Sequence, residues 1–160
     1  SISPYRAQET TELMLESVKK SGCRAIIQAD WDNVHSVMEE DSIYKCNRLP
    51  HADVFPHCSL VVHHGGAGTT HTALRAGCPA IVVEHAFDQT FWGNELRRIG
   101  VAGKVLHRNS ITAEQLAKAI KATLNSQEMK RNAMVIGEKM LAENGVETSV
   151  RLITERFETS

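Results

Sequence analysis

The 160-residue sequence lacks several features that would assign it at once to a functional class. Its net charge is −1, so no global field attracts nucleic acid or an anionic membrane, and any anion site must be built locally. No run approaches the roughly 20 apolar residues of a membrane span, and no secretory signal opens the chain. We therefore expect a cytoplasmic protein with a small-molecule partner and no nucleic acid.

The sequence also lacks the cysteine and histidine spacings of disulfide frameworks and metal sites. Its four cysteines form no CxxC pair, and three lie in or beside apolar segments, which favours reduced thiols: Cys23, Cys46, Cys58 and Cys78. Its eight histidines show neither zinc-finger spacing nor an H-E-x-x-H arrangement. We therefore expect no metal and no cofactor.

What is present is a pattern that switches repeatedly between helical and extended periodicity. Helices are predicted at 7–20, 70–76, 90–99, 112–124, 127–143 and 147–157. Strands are predicted at 24–28, 43–46, 60–63, 80–83 and 102–106. Strands that alternate with helices indicate an α/β fold, with a Rossmann-like parallel sheet, helices on both faces and ligands at the carboxyl ends of the strands.

The segment HHGGAGTT at 63–70 joins a predicted strand to a predicted helix, which is where α/β domains bind phosphate. Its glycines allow main-chain N–H groups to approach a phosphate closely, and Thr69 and Thr70 add hydroxyls near the positive end of the helix dipole. The spacing is neither G-x-G-x-x-G nor a P-loop. The segment predicts an anion-binding loop, although a tight turn without a ligand is the alternative that this motif alone leaves open.

Two histidines beside this loop are interpreted as structural. His63 precedes His64 in an extended strand end, so its side chain points to the opposite side, and we interpret it as an internal hydrogen-bonding residue. His71 lies in the first turn of the predicted helix and is also interpreted as mainly structural, with an approach to the acceptor side as the alternative.

The segment 50–94 resembles the donor-binding signature of GT-B fold glycosyltransferases that use nucleotide sugars. Four blocks agree with that signature in order and spacing: PHADVFP, HHGGAGTT, LRAGCP and DQTFWG. The similarity is greatest to sterol glucosyltransferases and related bacterial natural-product enzymes. It implies that residues 1–160 form the donor-binding domain of such an enzyme. Because Ser1-Ile2-Ser3 resembles the end of the family's GSMS segment, we expect the N-terminal acceptor domain to be absent from this chain.

The resemblance also implies roles for individual residues. The contacts to the donor diphosphate fall on the loop residues His64, Gly66, Ala67, Gly68, Thr69 and Thr70. The contacts to the transferred sugar fall on Asp88 and Gln89. The candidates for nucleoside contacts are Ser3, Trp31, Arg48, Leu49 and Pro50, and plain packing is the alternative role of Trp31. No catalytic residue is expected here, because the general base of this fold comes from the N-terminal domain, and no metal is expected, because loop amides and the helix dipole take its role.

The implied function is transfer of a hexose from a UDP-sugar to a hydroxyl of a sterol, lipid or other small acceptor, with inversion. Two departures from the family pattern affect its details. PHAD stands where the family has PHDW, and no aromatic residue comes just before it, so the family pattern does not define how the base is recognised. Glu84-His85-Ala86-Phe87 replaces the usual residues before Asp-Gln, so the pattern does not define the transferred sugar either, and glucose is the default expectation. The alternatives are a stand-alone nucleotide-sugar-binding subunit that acts with an acceptor-binding partner, and a GT-B type nucleotide-sugar epimerase.

Overall fold

The computed structural model describes residues 4–29, 41–85 and 88–158, in which helices and short strands alternate. In chain order the elements are α1 (Pro4–Ser21), β1 (Ala25–Gln28), β2 (Ile43–Cys46), α2 (His51–Val54), a 3-10 helix (Phe55–His57), β3 (Val61–His63), α3 (Ala67–Arg75), β4 (Ala80–Glu84), α4 (Gln89–Arg98), β5 (Leu106–His107), α5 (Ala113–Asn125), α6 (Gln127–Ala142) and α7 (Gly145–Glu158).

Each predicted helix and strand has a counterpart in the structure, although several boundaries differ and the two short helical elements at 51–57 were not predicted. Helix α3 begins at Ala67 rather than Thr70, because Gly66 takes the extended conformation of an N-cap. The strand predicted at 102–106 reduces to β5 and one bridge between Ala102 and Ala80, with Gly103 between them. The four-residue α2 was not predicted, since one turn carries too little periodicity.

All strand pairs in the described residues are parallel, which confirms the predicted sheet type. β1 pairs with β2, and β3, β4 and β5 form a second sheet with β4 in the centre. Parallel neighbours need a crossover, and α3 and α4 lie in the connections that lead from β3 to β4 and from β4 to β5. The carboxyl ends of β3, β4 and β5 therefore meet at one edge.

β4 carries apolar side chains on both of its faces. Ile81 and Val83 pack with buried side chains of α5 and with partly buried ones of α1. Val82, between them, packs with buried side chains of α3, α4 and α6. These three residues are at most 3% exposed. A strand buried on both sides is typical of a sheet covered by helices on both faces, which confirms the predicted fold class.

Helix α5 begins with the capping box that the sequence predicts. The Thr112 hydroxyl accepts the N–H of Gln115 at 3.3 Å, and the Gln115 side chain accepts the N–H of Thr112 at 3.0 Å. The two bonds satisfy N–H groups that the first helical turn otherwise leaves unpaired.

The structure also bears on the cysteines, on membrane-spanning helices and on metal sites. All four cysteines are free thiols. Within the described ranges, no helix combines the length and the apolar character that crossing a membrane requires. Over the same ranges, no three His, Cys, Asp or Glu side chains lie close enough together to hold a metal ion.

Helices α3 and α6 cross at two glycines. Gly77, with φ +66°, follows α3, and a Cβ atom placed on Gly137 of α6 would lie 2.9 Å from the Gly77 Cα and from the Leu74 carbonyl oxygen. Those neighbours are backbone atoms, which cannot rotate away as a side chain can. The crossing therefore needs glycine at position 137, and it fixes the orientation of α3.

We predict that Gly137→Ala lowers the free energy of unfolding by about 1–3 kcal/mol, because the methyl group overpacks the crossing. At a helical glycine with open space around it, the same substitution would raise the free energy of unfolding by roughly 0.5–1 kcal/mol. A decrease would therefore indicate overpacking at the crossing. Urea denaturation measures the difference. Gly103→Ala is the matched control, since nothing lies within 4 Å of its Cβ position. A Gly137→Ala variant as stable as that control would contradict the close crossing.

Candidate functional site

The carboxyl ends of β3, β4 and β5 form one edge of the sheet, and a basic side chain follows each of these strands. His64 follows β3, His85 follows β4 and Arg108 follows β5. Burial, together with the charges of Arg108 and His64, lowers the pKa of His85. Arg108 and His64 therefore lie close enough to His85 to act on it electrostatically.

Gly65 holds the loop between β3 and α3 directly on the sheet. Its φ is +90°, and a Cβ atom placed on it would lie 2.8 Å from Val82 Cγ1 and 3.0 Å from the Gln89 carbonyl oxygen. The side chain of any other residue would clash with Val82 of β4 and with the Gln89 backbone in the first turn of α4. The contact also joins two separate sequence blocks, because it brings the HHGGAGTT loop beside Asp88 and Gln89.

His63 lies beneath this loop and is 8% exposed. Its Nδ1 accepts the N–H of Gly65 at 3.0 Å, which confirms its interpretation as an internal hydrogen-bonding residue. Burial lowers the pKa of His63 to about 4, and the nearby His64 and His51 contribute in the same direction. The ring is therefore neutral near pH 7.

The outer side of the loop presents His64 and the first turn of α3. His64 is exposed, and its Nε2 lies over Gly66, where it would be 2.5 Å from an added Cβ atom. Ala67 and Gly68 are exposed as well. The N–H groups of the first helical turn have no intrahelical acceptor, and Gly66 supplies no capping side chain. The loop thus offers an imidazole and several main-chain donors on one surface.

Thr70 does not belong to that surface. It is 0% exposed, and its N–H donates to the Gly66 carbonyl at 3.0 Å. Its Oγ1 is buried without a partner in the part of the chain that the structure describes. The diphosphate contact of Thr70 stays a prediction, and the early start of α3 places the Thr70 side chain in the core. Thr69, one residue before it, is half-buried.

The first turn of α4 carries the pair predicted to bind sugar. Asp88 is exposed, and Gln89 is half-buried with its Oε1 accepting the His85 N–H at 2.6 Å. The Glu84 carboxylate pairs with His107 and accepts the hydroxyl of Thr90. These bonds tie the end of β4 and His85 to the first turn of α4, and Asp88, directly before that turn, is exposed.

The predicted nucleoside contacts fall into two groups. Ser3 and Trp31 lie outside the described residues. Arg48, Leu49 and Pro50 follow β2, and Pro50 is the N-cap of α2. The first helical residue, His51, bonds Gln28 at the end of β1, with 3.2 Å between Nε2 and Oε1. The segment 48–50 is therefore anchored at the carboxyl edge of the β1–β2 sheet.

Some features of this edge are not apparent from the sequence. Arg108 follows a two-residue strand without a motif, yet its Nε donates to Thr10 at 2.6 Å and its side chain is only 14% exposed. His71, although exposed, meets the ring of Trp92 edge-on at 5.4 Å. These contacts join residues far apart in sequence, so local spacing gives no signal for them.

Comparison with known proteins finds similarity to one protein family and to several glycosyltransferases. The family model for the erythromycin biosynthesis protein CIII-like C-terminal domain matches residues 12–154. A sterol 3-beta-glucosyltransferase, UGT80A2 of Arabidopsis thaliana, is 32% identical over 152 residues, which are 94% of this chain and 24% of that protein. The O-mycaminosyltylonolide 6-deoxyallosyltransferase of Streptomyces fradiae is 39% identical over 115 residues, 70% of this chain and 27% of that protein.

Solved structures confirm the fold. The spinosyn forosaminyltransferase SpnP has a TM-score of 0.80 at 20% identity, covering 92% of this chain and 38% of that one. The glycosyltransferase VinC, solved in complex with dTDP, has a TM-score of 0.75 at 19% identity, covering 91% of this chain and 37% of that one. The chain spans about a quarter of the length of the curated Arabidopsis and Streptomyces relatives and 14% of a fungal sterol 3-beta-glucosyltransferase that it also matches.

The depressed pKa of His63 predicts a pH dependence of stability. The unfolded chain binds a proton at His63 below about pH 6.5, whereas the folded chain does so only near pH 4. Stability should therefore fall as pH decreases through this window, by at most about 1.4 kcal/mol per pH unit for one group. Urea unfolding at several pH values tests this, with His63→Asn as the comparison. Equal pH slopes for the two proteins would contradict the assignment.

Proposed function

Since this chain belongs to the family of erythromycin biosynthesis protein CIII-like C-terminal domains, we propose that it is the donor-binding domain of an inverting glycosyltransferase that uses a UDP-sugar. The observation that carries the proposal is the contact of Gly65 with Val82 and the first residue of α4. That contact places a loop of main-chain donors beside Asp88, so that one ligand can touch both.

The donor diphosphate is proposed to lie on the outer side of the loop. His64 and the N–H groups of Gly66, Ala67, Gly68 and Thr69 would donate to it, and the positive end of the α3 dipole would support them. Each hydrogen bond to a charged oxygen is worth about 1.5–3 kcal/mol. Thr70 is left out of this set, because its hydroxyl is buried.

The sugar and the nucleoside are proposed to extend in two directions from the diphosphate. Asp88 and Gln89 would bind hydroxyls of the hexose, and a carboxylate beside an amide can distinguish epimers. Arg48, Leu49 and Pro50 would bind the nucleoside through main-chain groups, and Ser3 and Trp31 remain predictions from the sequence. No metal is proposed in this site, because helix dipole and loop amides supply the positive potential.

In the reaction, the acceptor oxygen would attack the anomeric carbon from the face opposite UDP, and the bond from that carbon to the diphosphate oxygen would break. The leaving UDP gains negative charge, so the loop donors stabilise the transition state more than the ground state. The acceptor proton passes to a general base. We assign no such base in this chain and propose that an N-terminal acceptor domain of a longer protein supplies it.

Glucose and a sterol or similar lipid are the substrates that the relatives favour for the whole enzyme. Sterol 3-beta-glucosyltransferases of plants and fungi are 30–33% identical to the chain over at least 89% of its length. A bacterial relative named as a 6-deoxyallosyltransferase shows that a similar domain occurs with another sugar. The relatives cited here are named as transferases, which supports transfer rather than epimerisation.

We predict that His64→Ala weakens UDP binding by about 1.5–3 kcal/mol, the worth of one bond to a charged group. Isothermal titration calorimetry measures the change. His57→Ala is the matched control, because His57 is also exposed but lies in the 3-10 helix before β3. Equal UDP affinities for the two variants would remove His64 from the site.

We also predict that Asp88→Ala lowers the affinity for UDP-glucose and leaves that for UDP nearly unchanged, because Asp88 is proposed to reach only the hexose. The ratio of the two dissociation constants is the measurement. Asp41→Ala, another exposed aspartate, serves as the control. A loss of the same size for UDP and UDP-glucose would place Asp88 at the nucleotide instead.

A further inference from the structure

We propose that His63 is a positioning residue, whose neutral ring holds the Gly65 peptide and thereby keeps the diphosphate loop in its binding shape. The inference rests on the proposed function of that loop, but it concerns a residue on the side of the loop that faces away from the ligand. His63 would not touch the donor. Its effect would pass through Gly65 to His64 and to the main-chain donors of α3.

Three contacts fix the Gly65 peptide, and His63 supplies the polar one. Val82 lies beneath Gly65, and the backbone of Gln89 closes its other side. The N–H of Gly65 points to His63 Nδ1 at 3.0 Å. Packing alone limits how close the loop can come, whereas the hydrogen bond also sets the rotation of the peptide. That rotation decides where the flanking residues His64 and Gly66 point.

The hydrogen bond also determines the tautomer of the ring. Since the Gly65 N–H donates, Nδ1 must be the unprotonated nitrogen, and the neutral ring carries its hydrogen on Nε2. In the part of the chain that the structure describes, Nε2 is buried without a partner. The orientation of the ring therefore depends on Gly65 as much as the orientation of Gly65 depends on the ring.

The surroundings of His63 keep it in this state. The opposite residue on β4 is Val82, which is apolar, and the neighbouring histidines are His64 on the loop and His51 on α2. A positive charge on either histidine opposes a second charge on His63. A protonated ring would turn an N–H toward the Gly65 N–H, so that two donors would face each other and the loop would lose its anchor.

Two substitutions at position 63 separate the hydrogen bond from simple packing. His63→Asn keeps an acceptor close to the place of Nδ1, and His63→Leu keeps a similar volume without any acceptor. Calorimetry with UDP is the first measurement. We expect His63→Leu to bind UDP about tenfold more weakly than the wild type, the equivalent of one lost hydrogen bond, and His63→Asn to stay within about threefold. Equal affinities for all three folded proteins would overturn the proposal.

Measurements without a ligand keep the two proposals distinguishable. Nitrogen-15 NMR of the wild type at pH 7 should show His63 with hydrogen on Nε2, and exchange of the Gly65 amide should be faster in His63→Leu than in His63→Asn. A hydrogen on Nδ1, or equal exchange in both variants, would refute positioning even if UDP binds. If the wild type binds no UDP while these signatures are present, the donor-site proposal fails and the anchoring of Gly65 stands. If His63→Leu does not fold, the tautomer of His63 in the wild type and the UDP affinity of His63→Asn still test the positioning role.

Discussion

Strand β4 is apolar on both faces, and most of the structure follows from the need to cover both. Ile81 and Val83 require α5 and α1 on one side, while Val82 requires α3, α4 and α6 on the other. Helices on both faces force parallel crossovers, and parallel crossovers bring loops of different sequence blocks to one edge. The candidate site is thus a consequence of how the core is buried. Val82 joins the two directly, because it packs in the core and also supports Gly65.

The electrostatics of the site are local, as a chain with net charge −1 requires. Arg108 is held by Thr10 and by the carboxylate of Glu9, whose side-chain atoms lie 2.6 and 3.8 Å from it. Burial, Arg108 and His64 lower the pKa of His85. Fixed main-chain donors add positive potential without adding net charge. In a nearly neutral domain, the potential at this edge therefore depends on these local groups.

The sequence predicts those parts of the structure that depend on short-range pattern. The α/β order, the parallel sheet and the capping box at Thr112 all follow from periodicity and fixed spacings, and the structure confirms them. The burial of Thr70 was not predictable in the same way, because it depends on α3 starting at Ala67, which Gly66 decides through its backbone conformation. The place of Arg108 was also missed, because its partners lie about a hundred residues away.

The loop after β3 has two sides with different requirements, and this separation affects how the domain can change over evolution or in the laboratory. Residues on its inner side, His63 and Gly65, are tied to the core, so replacing them alters the shape of the whole loop. Gly68 on its outer side has no atom within 4 Å of its Cβ position. A side chain added at position 68 therefore meets open space and puts little strain on the fold. Substitutions at this position would alter the outer surface of the loop while the protein remains folded.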